Sequence, residues 1–177
     1  MKLAAFFLPV LVGVVFITPP EQTQPRTPAR APSNKSRVVH VYPHDPQAFT
    51  QGLVYLDGFL YEGTGLNGRS SIRKVRLENG EVLQIQTTES QYFGEGIAVK
   101  GDTLYQLTWQ SEIGFLYDRA TFKRKGTFSY HGEGWGLTYD GQRLIMSDGS
   151  AFLRFLDPVT LKEQSRIQVK DAGSPVG

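Results

Sequence analysis

A glutamate between two glycines, Glu95 in the stretch "YFGEGIAV" (92–99), is the residue whose type and setting best suit acid–base chemistry. It stands just before an apolar strand, where a carboxylate is costly unless it faces a cavity or a polar partner. Gly94 and Gly96 allow a tight turn and the close approach of a neighbouring backbone. Among aromatic side chains a carboxylate has a raised pKa, which suits a general acid or base near neutral pH. A structural hydrogen bond to a neighbouring repeat of the fold, a blade in the architecture described below, is an equally good interpretation of Glu95.

One sequence unit occurs three times after residue 38, and Glu95 opens its second copy. The glycines that take the second position of the copies, Gly52, Gly96 and Gly136, are 44 and then 40 residues apart. Each copy contains four short strands separated by Gly/Asp turns, and none shows helical periodicity. Four strands in about 40 residues predict one blade of a β-propeller. The predicted fold is therefore an all-β propeller of four-stranded blades, with a β-sandwich or a jelly roll as the competing interpretations.

In a propeller the first strand of each blade lines the central channel, so the residues that open these strands converge at one mouth of the channel. These residues are Gln51, Glu95 and Trp135. Two positions earlier, on the same face by the period of a strand, stand Phe49, Phe93 and Glu133. Trp109 ends the second strand of the second copy. The pattern predicts an aromatic pocket around Glu95 at the mouth of the channel.

Composition argues against several other classes of function. The chain has 177 residues and no cysteine, which excludes disulfides, thiolate metal sites and a cysteine nucleophile. Its formal net charge is +2, but residues 38–177 carry 14 basic and 16 acidic side chains, so we expect no nucleic acid as a partner. The three histidines, His40, His44 and His131, lack the spacing of zinc ligands, and neither a metal nor a cofactor is predicted.

The N-terminal segment predicts export. An apolar run from Leu3 to Ile17 follows Lys2, which is typical of a signal peptide over residues 1–18 and of a periplasmic or secreted protein. No small-x-small cleavage site follows, so an uncleaved membrane anchor through residues 3–18 is the alternative. Residues 19–37 hold five of the ten prolines and predict a disordered or extended linker ahead of the domain over 38–177.

Four motifs together resemble the glutamine cyclotransferase family, the plant and bacterial type of glutaminyl-peptide cyclotransferase. They are "YPHDPQAFTQGL", "YFGEGIAV", "LTW" and "GEGWGLT", and the similarity extends over residues 38–177. The resemblance implies a five-bladed propeller that converts the N-terminal glutamine of peptides and proteins to pyroglutamate, releases ammonia and needs no zinc. It also implies that the complete form is a monomer.

The resemblance implies a role for each of six residues. Glu95 matches the family's catalytic acid/base. The matches to the substrate pocket and its apolar walls are Phe49, Gln51, Phe93, Trp109 and Trp135.

The sequence departs from the family near its end. Members of the family continue with an "NELE" motif, whose asparagine serves the active site, and a later blade supplies a lysine; neither is found in residues 1–177. Residues 38–177 account for three of five blades, so we expect the chain to be a fragment or a truncated product. An inactive truncated propeller and a non-catalytic propeller that binds peptides are the open alternatives.

Overall fold

Three four-stranded antiparallel sheets form the body of the protein in a computed structural model that describes residues 34–171 and 173–176. In each sheet the strands are neighbours in the order in which they follow along the chain. The prediction of an all-β propeller with four-stranded blades is confirmed, and each sheet is one blade. The export segment over 1–18 and most of the linker over 19–37 lie outside the described residues.

The strand bounds follow the three copies of the sequence unit. Blade 1 contains β1 (Thr50–Leu56), β2 (Phe59–Thr64), β3 (Ser71–Arg76) and β4 (Val82–Thr87). Blade 2 contains β5 (Gly94–Lys100), β6 (Thr103–Thr108), β7 (Ile113–Asp118) and β8 (Arg124–Ser129). Blade 3 contains β9 (Leu137–Tyr139), β10 (Leu144–Ser147), β11 (Phe152–Leu156) and β12 (Glu163–Gln168). A two-stranded ribbon follows, formed by β13 (Lys170–Asp171) and β14 (Ser174–Pro175).

Tight turns at the predicted positions connect the strands of each blade. Between β1 and β2, Asp57 and Gly58 have φ values of 52° and 83°, the left-handed conformation of a two-residue hairpin turn. Within the described ranges, no helix is long and apolar enough to cross a membrane.

The inner strands of the three blades pack against one another, β1 on β5 and β5 on β9. Alternation along β5 sends Ile97 into an apolar cluster shared with blade 1 and Ala98 into a second cluster shared with blade 3. Blade 2 is therefore covered on both faces. Blade 1 exposes Leu53 and Tyr55 on its inner strand.

Glycine is required where the inner strands meet, because no side chain fits there. A Cβ atom on Gly52 would lie 2.5 Å from the backbone nitrogen of Ile97, and one on Gly96 would lie 2.4 Å from the carbonyl oxygen of Trp135. The close approach expected at Gly96 is thus confirmed. The tight turn expected at Gly94 and Gly96 is wrong, because both lie within β5, and their role there is to leave space.

Candidate active site

Irregular strand pairing places Gln51 and Glu95 at equivalent positions in neighbouring blades. The register of β1 with β2 shifts between Thr50 and Gly52, and that of β5 with β6 shifts between Gly94 and Ile97. Each shift adds one residue to the inner strand, which is a β-bulge. A bulge redirects a side chain that regular pleating would place differently, and here it brings the two side chains into contact.

The carboxyl group of Glu95 is largely buried and holds one side-chain hydrogen bond. The Nε2 atom of Gln51 donates to its Oε1 atom over 2.9 Å, and 9% of the residue is exposed. Burial raises the pKa of Glu95 to about 7, the hydrogen bond from Gln51 opposes this rise, and the negative charge of Glu133 adds to it. A carboxyl group with such a pKa exchanges its proton readily near neutral pH.

All six residues predicted from the sequence line one cavity of about 510 Å³. Its lining consists of Phe49, Gln51, Phe93, Glu95, Trp109, Trp135, Gly136 and Ser147. The rings meet edge to face: the centroids of Phe49 and Phe93 are 6.1 Å apart, and those of Phe93 and Trp109 are 5.7 Å apart. The result is an aromatic pocket with a titratable carboxyl group, open to solvent along the exposed rings of Phe49, Trp109 and Trp135.

Two glycines give the aromatic rings flat backbone to rest on. A Cβ atom on Gly65 would lie 2.4 Å from the ring of Phe93, and one on Gly149 would lie 2.6 Å from the indole of Trp135. Gly149 also has a φ of 77°, which disfavours other residues. Any side chain at these two positions would displace a wall of the pocket.

Glu133 contacts both tryptophans of the pocket. Its Oε2 atom accepts hydrogen bonds from the indole nitrogens of Trp109 over 2.7 Å and Trp135 over 2.8 Å, while its Oε1 atom accepts one from Gln110 over 3.1 Å. Donation by Trp135, Gln110 and Trp109 lowers the pKa of Glu133. The sequence predicts Glu133 as a channel residue, two positions before Trp135. In the structure its carboxyl group, with its lowered pKa, accepts hydrogen bonds from both rings.

The sequence pattern did not identify Ser147, which ends β10 and lines the cavity. Its Oγ atom accepts a hydrogen bond from the backbone N–H of Gly136 over 2.9 Å. The next residue, Asp148, accepts hydrogen bonds from the backbone and hydroxyl of Ser150 in the following turn. As the last residue of β10, Ser147 faces the cavity, whereas Asp148 belongs to the turn that follows.

The histidines lie outside the cavity. His44 contacts the buried carboxylate of Glu62 over 2.8 Å, and His131 contacts Glu112 over 3.1 Å. Across residues 34–171 and 173–176, no three His, Asp or Glu side chains are grouped so that they could hold a metal ion.

Comparison with known proteins gives a family and two informative relatives. Residues 10–177 match the family model described as "Glutamine cyclotransferase". The chain is 42% identical over 145 residues to a glutaminyl-peptide cyclotransferase from Arabidopsis thaliana, an alignment that covers 81% of this chain and 45% of the relative. The chain therefore spans less than half the length of that protein.

Solved structures agree with this similarity. The glutaminyl cyclase of Myxococcus xanthus superposes with a TM-score of 0.72 at 36% identity, over 79% of this chain and 59% of that one. The WD40 domain of Pan2 from Neurospora crassa has a TM-score of 0.57 at 11% identity, over 67% of this chain and 36% of that one, which shows a shared propeller fold only.

Proposed function

Because the chain belongs to the glutamine cyclotransferase family, we propose that it forms the catalytic part of an enzyme that cyclises the N-terminal glutamine of peptides and proteins to pyroglutamate. The observation that carries this proposal is the carboxyl group of Glu95, with a pKa of about 7 inside an aromatic pocket. Such a group can both accept and return a proton at the working pH.

Cyclisation needs one bond formed and one broken at the amide carbon of the glutamine side chain. The α-amine attacks that carbon, Glu95 takes a proton from the attacking nitrogen, and a tetrahedral intermediate with an oxyanion forms. Glu95 then returns the proton to the departing amide nitrogen, the carbon–nitrogen bond breaks, and ammonia leaves. Both reacting groups belong to one residue, so the enzyme contributes the folded geometry and the proton transfer. The oxyanion requires hydrogen-bond donors, a task that the resemblance gives to an asparagine and a lysine of further blades.

The aromatic walls are suited to the apolar part of the substrate residue. In this proposal the side-chain methylenes of the N-terminal glutamine pack between the rings of Phe49, Phe93, Trp109 and Trp135, while Gln51 positions its amide. Packing of this kind folds the residue toward the ring-closing geometry and excludes water from the reacting atoms.

The test compares two proteins on a peptide that begins with glutamine. One is the printed chain, that is, the protein of residues 1–177. The other joins this chain to the remaining blades of the Myxococcus xanthus cyclase and is called the five-bladed chimera. We expect the chimera to release ammonia, with the same peptide acetylated at its N-terminus as the unreactive control. A well-folded chimera that releases no ammonia would contradict the proposed function. Activity in the chimera without activity in the printed chain would show that the three blades alone are an inactive propeller.

Replacing Gln51 by alanine in the chimera is expected to shift the acidic limb of the pH profile of kcat/KM to higher pH. The hydrogen bond from Gln51 lowers the pKa of Glu95, so its loss raises that pKa, and the basic form appears only at higher pH. The α-amine of the peptide also titrates, at about pH 8. The informative quantity is therefore the difference in the position of the acidic limb between the variant and the wild type. We also expect KM to rise more than kcat falls, because Gln51 positions the substrate.

The control for this variant is Gln86→Ala, a change of the same type on the exposed strand β4. It should leave both the profile and KM unchanged. An unshifted acidic limb in Gln51→Ala would show that the hydrogen bond to Glu95 does not tune its titration.

We further propose that the protein is exported and acts as a monomer in its complete form. The support for export is the apolar run from Leu3 to Ile17 behind a single lysine. Cell fractionation with an epitope tag after residue 177 tests it: recovery only from the cytoplasm would contradict export. Recovery from membranes after a salt wash would favour an uncleaved anchor over residues 3–18. Recovery in the soluble exported fraction would favour a cleaved signal peptide.

A further inference from the structure

We propose that Glu133 is a positioning residue of this site, which fixes the two tryptophan rings at the separation and orientation that the substrate residue requires. The proposal rests on the proposed function and adds to it a residue whose contacts are with the pocket walls. It concerns the indoles of Trp109 and Trp135, which come from two different blades.

The geometry is a convergence of two rings on one oxygen atom. Trp109 directly follows β6 of blade 2, and Trp135 lies just before β9 of blade 3. Their indole nitrogens donate to the same Oε2 atom of Glu133 over 2.7 and 2.8 Å. Each bond is charge-assisted and directional, so together they restrain the orientation of each ring and the distance between the rings.

Packing alone restrains these rings weakly. Trp109 is 39% exposed and Trp135 is 47% exposed, which is high for side chains of this size. The rings of Trp109 and Phe93 meet in a T-shaped contact, and Trp135 rests on Gly149. An indole with one covered side has room to rotate, and a polar anchor at its N–H removes that freedom.

The carboxylate of Glu133 is itself held in place. Its second oxygen, Oε1, accepts from the Nε2 atom of Gln110, which belongs to the same hairpin end as Trp109. The backbone supports the same junction, since the N–H of Gly134 donates to the carbonyl of Trp109 over 2.8 Å. Glu133 thus joins the end of the second strand of blade 2 to the beginning of blade 3 at the mouth of the pocket.

The charge of Glu133 gives the proposal a second, independent readout. Glu133 raises the pKa of Glu95, and Tyr130 is the other titratable group coupled to Glu95. The strands packed against β5 add Glu62 on β2, which is bonded to His44 and Thr50, and tyrosines on β1, β2, β6 and β9. Removing the charge of Glu133 therefore moves the titration of Glu95 toward lower pH.

Nuclear magnetic resonance of the printed chain tests the contact without any turnover. The sequence has only two tryptophans, so the two indole N–H signals report on these two rings alone. Glu133→Gln removes the negative charge from both indole hydrogen bonds, and when its amide oxygen faces the indoles its –NH₂ group faces the Nε2 donor of Gln110. We expect both indole signals to move and to exchange faster with solvent. Glu81→Gln, the same change in an exposed ion pair with Arg76, is the matched control and should leave both signals in place.

Kinetics and binding in the five-bladed chimera test the role. We expect Glu133→Gln to lower kcat/KM about 10-fold, as for the loss of one charge-assisted hydrogen bond, and to shift the acidic limb to lower pH. Binding of the glutamine-initiated peptide, followed by the same indole signals, should weaken by a similar factor. Glu133→Asp keeps the charge and shortens the reach, so it should disturb the indole signals while leaving the acidic limb nearly in place.

The outcomes separate this proposal from the proposed function. Unmoved indole signals in a folded Glu133→Gln protein, or moved signals with unchanged kcat/KM and peptide binding, would overturn the positioning role. A wild-type chimera that neither binds nor cyclises the peptide would overturn the proposed function and, with it, any role of Glu133 toward this substrate. In that case the indole signals would still show whether the contact exists.

Discussion

Replacing Glu95 by glutamine in the five-bladed chimera is expected to lower kcat by about 10²- to 10⁴-fold, the usual cost of losing a positioned acid or base. Glutamine keeps the size of the side chain and its capacity to accept a hydrogen bond from Gln51. It cannot take a proton from the attacking amine. KM should change little, because the aromatic walls that hold the substrate remain in place. The measurement is the rate of ammonia release at saturating peptide.

The thermal stability of the Glu95→Gln variant provides the control for folding and a further check of the environment of Glu95. The pKa of Glu95 is raised from 4.5 to about 7 in the folded state. The contribution of this group to the free energy of unfolding of the wild type is therefore fully present below about pH 4.5 and is lost as the pH rises to about 7. The variant cannot ionise, so it should lack this loss. We expect the melting temperature of the wild type to fall relative to that of the variant across this window.

Two results would contradict the role of Glu95. A folded Glu95→Gln protein with a rate close to that of the wild type would remove this residue from proton transfer. The same loss of rate in Glu81→Gln would show that the effect is not specific to the pocket. Glu133 is a poor substitute as the base, because its hydrogen-bond donors lower its pKa.

Replacing Gly96 by alanine is expected to give the largest loss of stability among single-methyl changes at the junction of blades 2 and 3. The added Cβ atom would lie 2.4 Å from the carbonyl oxygen of Trp135 and 2.5 Å from the backbone nitrogen of Leu137. Both are backbone atoms that cannot rotate away, so blade 3 must shift. The shift would also strain the hydrogen bond of 2.8 Å from the N–H of Gly96 to Trp135. Overpacking of this kind costs about 2–3 kcal/mol, which predicts a fall of about 5–10 °C in the melting temperature.

Calorimetry compares the melting temperature of Gly96→Ala with that of Gly126→Ala, the matched control. A Cβ atom on Gly126 would meet only the Cδ1 atom of Leu116, at an ordinary 3.7 Å, so that variant should melt within about 2 °C of the wild type. Because Trp135 moves with blade 3, we also expect Gly96→Ala to raise KM. Equal melting temperatures for the two variants would show that the junction yields without cost.

Much of the candidate site followed from periodicity. The unit repeats every 40 to 44 residues. In a propeller this places the residues just before its glycines, Gln51, Glu95 and Trp135, at one mouth of the channel. Convergence of Glu95 with the aromatic residues needed no further information, because every blade is rotated about the same axis. The resemblance of the motifs then supplied a reaction for the residues so placed.

The local environment of Glu95 needed the tertiary structure. The hydrogen bond from Gln51 depends on two β-bulges, and a bulge is a choice of register between two strands that alternation does not reveal. Ser147 lines the cavity because the last residue of β10, and not the first residue of the turn, faces inward. A shift of one residue decides such cases, and the sequence locates strand ends less closely than that.

The sequence by itself determined the fold class, the blade boundaries and the identity of the residues that meet at the channel, because these follow from strand alternation and a regular repeat. Only the tertiary structure decided what each of them contacts. Glu133 shows the difference: the repeat assigned it to the channel, whereas one of its indole partners follows the second strand of blade 2 and the other precedes the first strand of blade 3. Contacts of this kind depend on the conformation of the segments that follow β6 and precede β9, which strand alternation does not describe, so they exist only once the blades are packed.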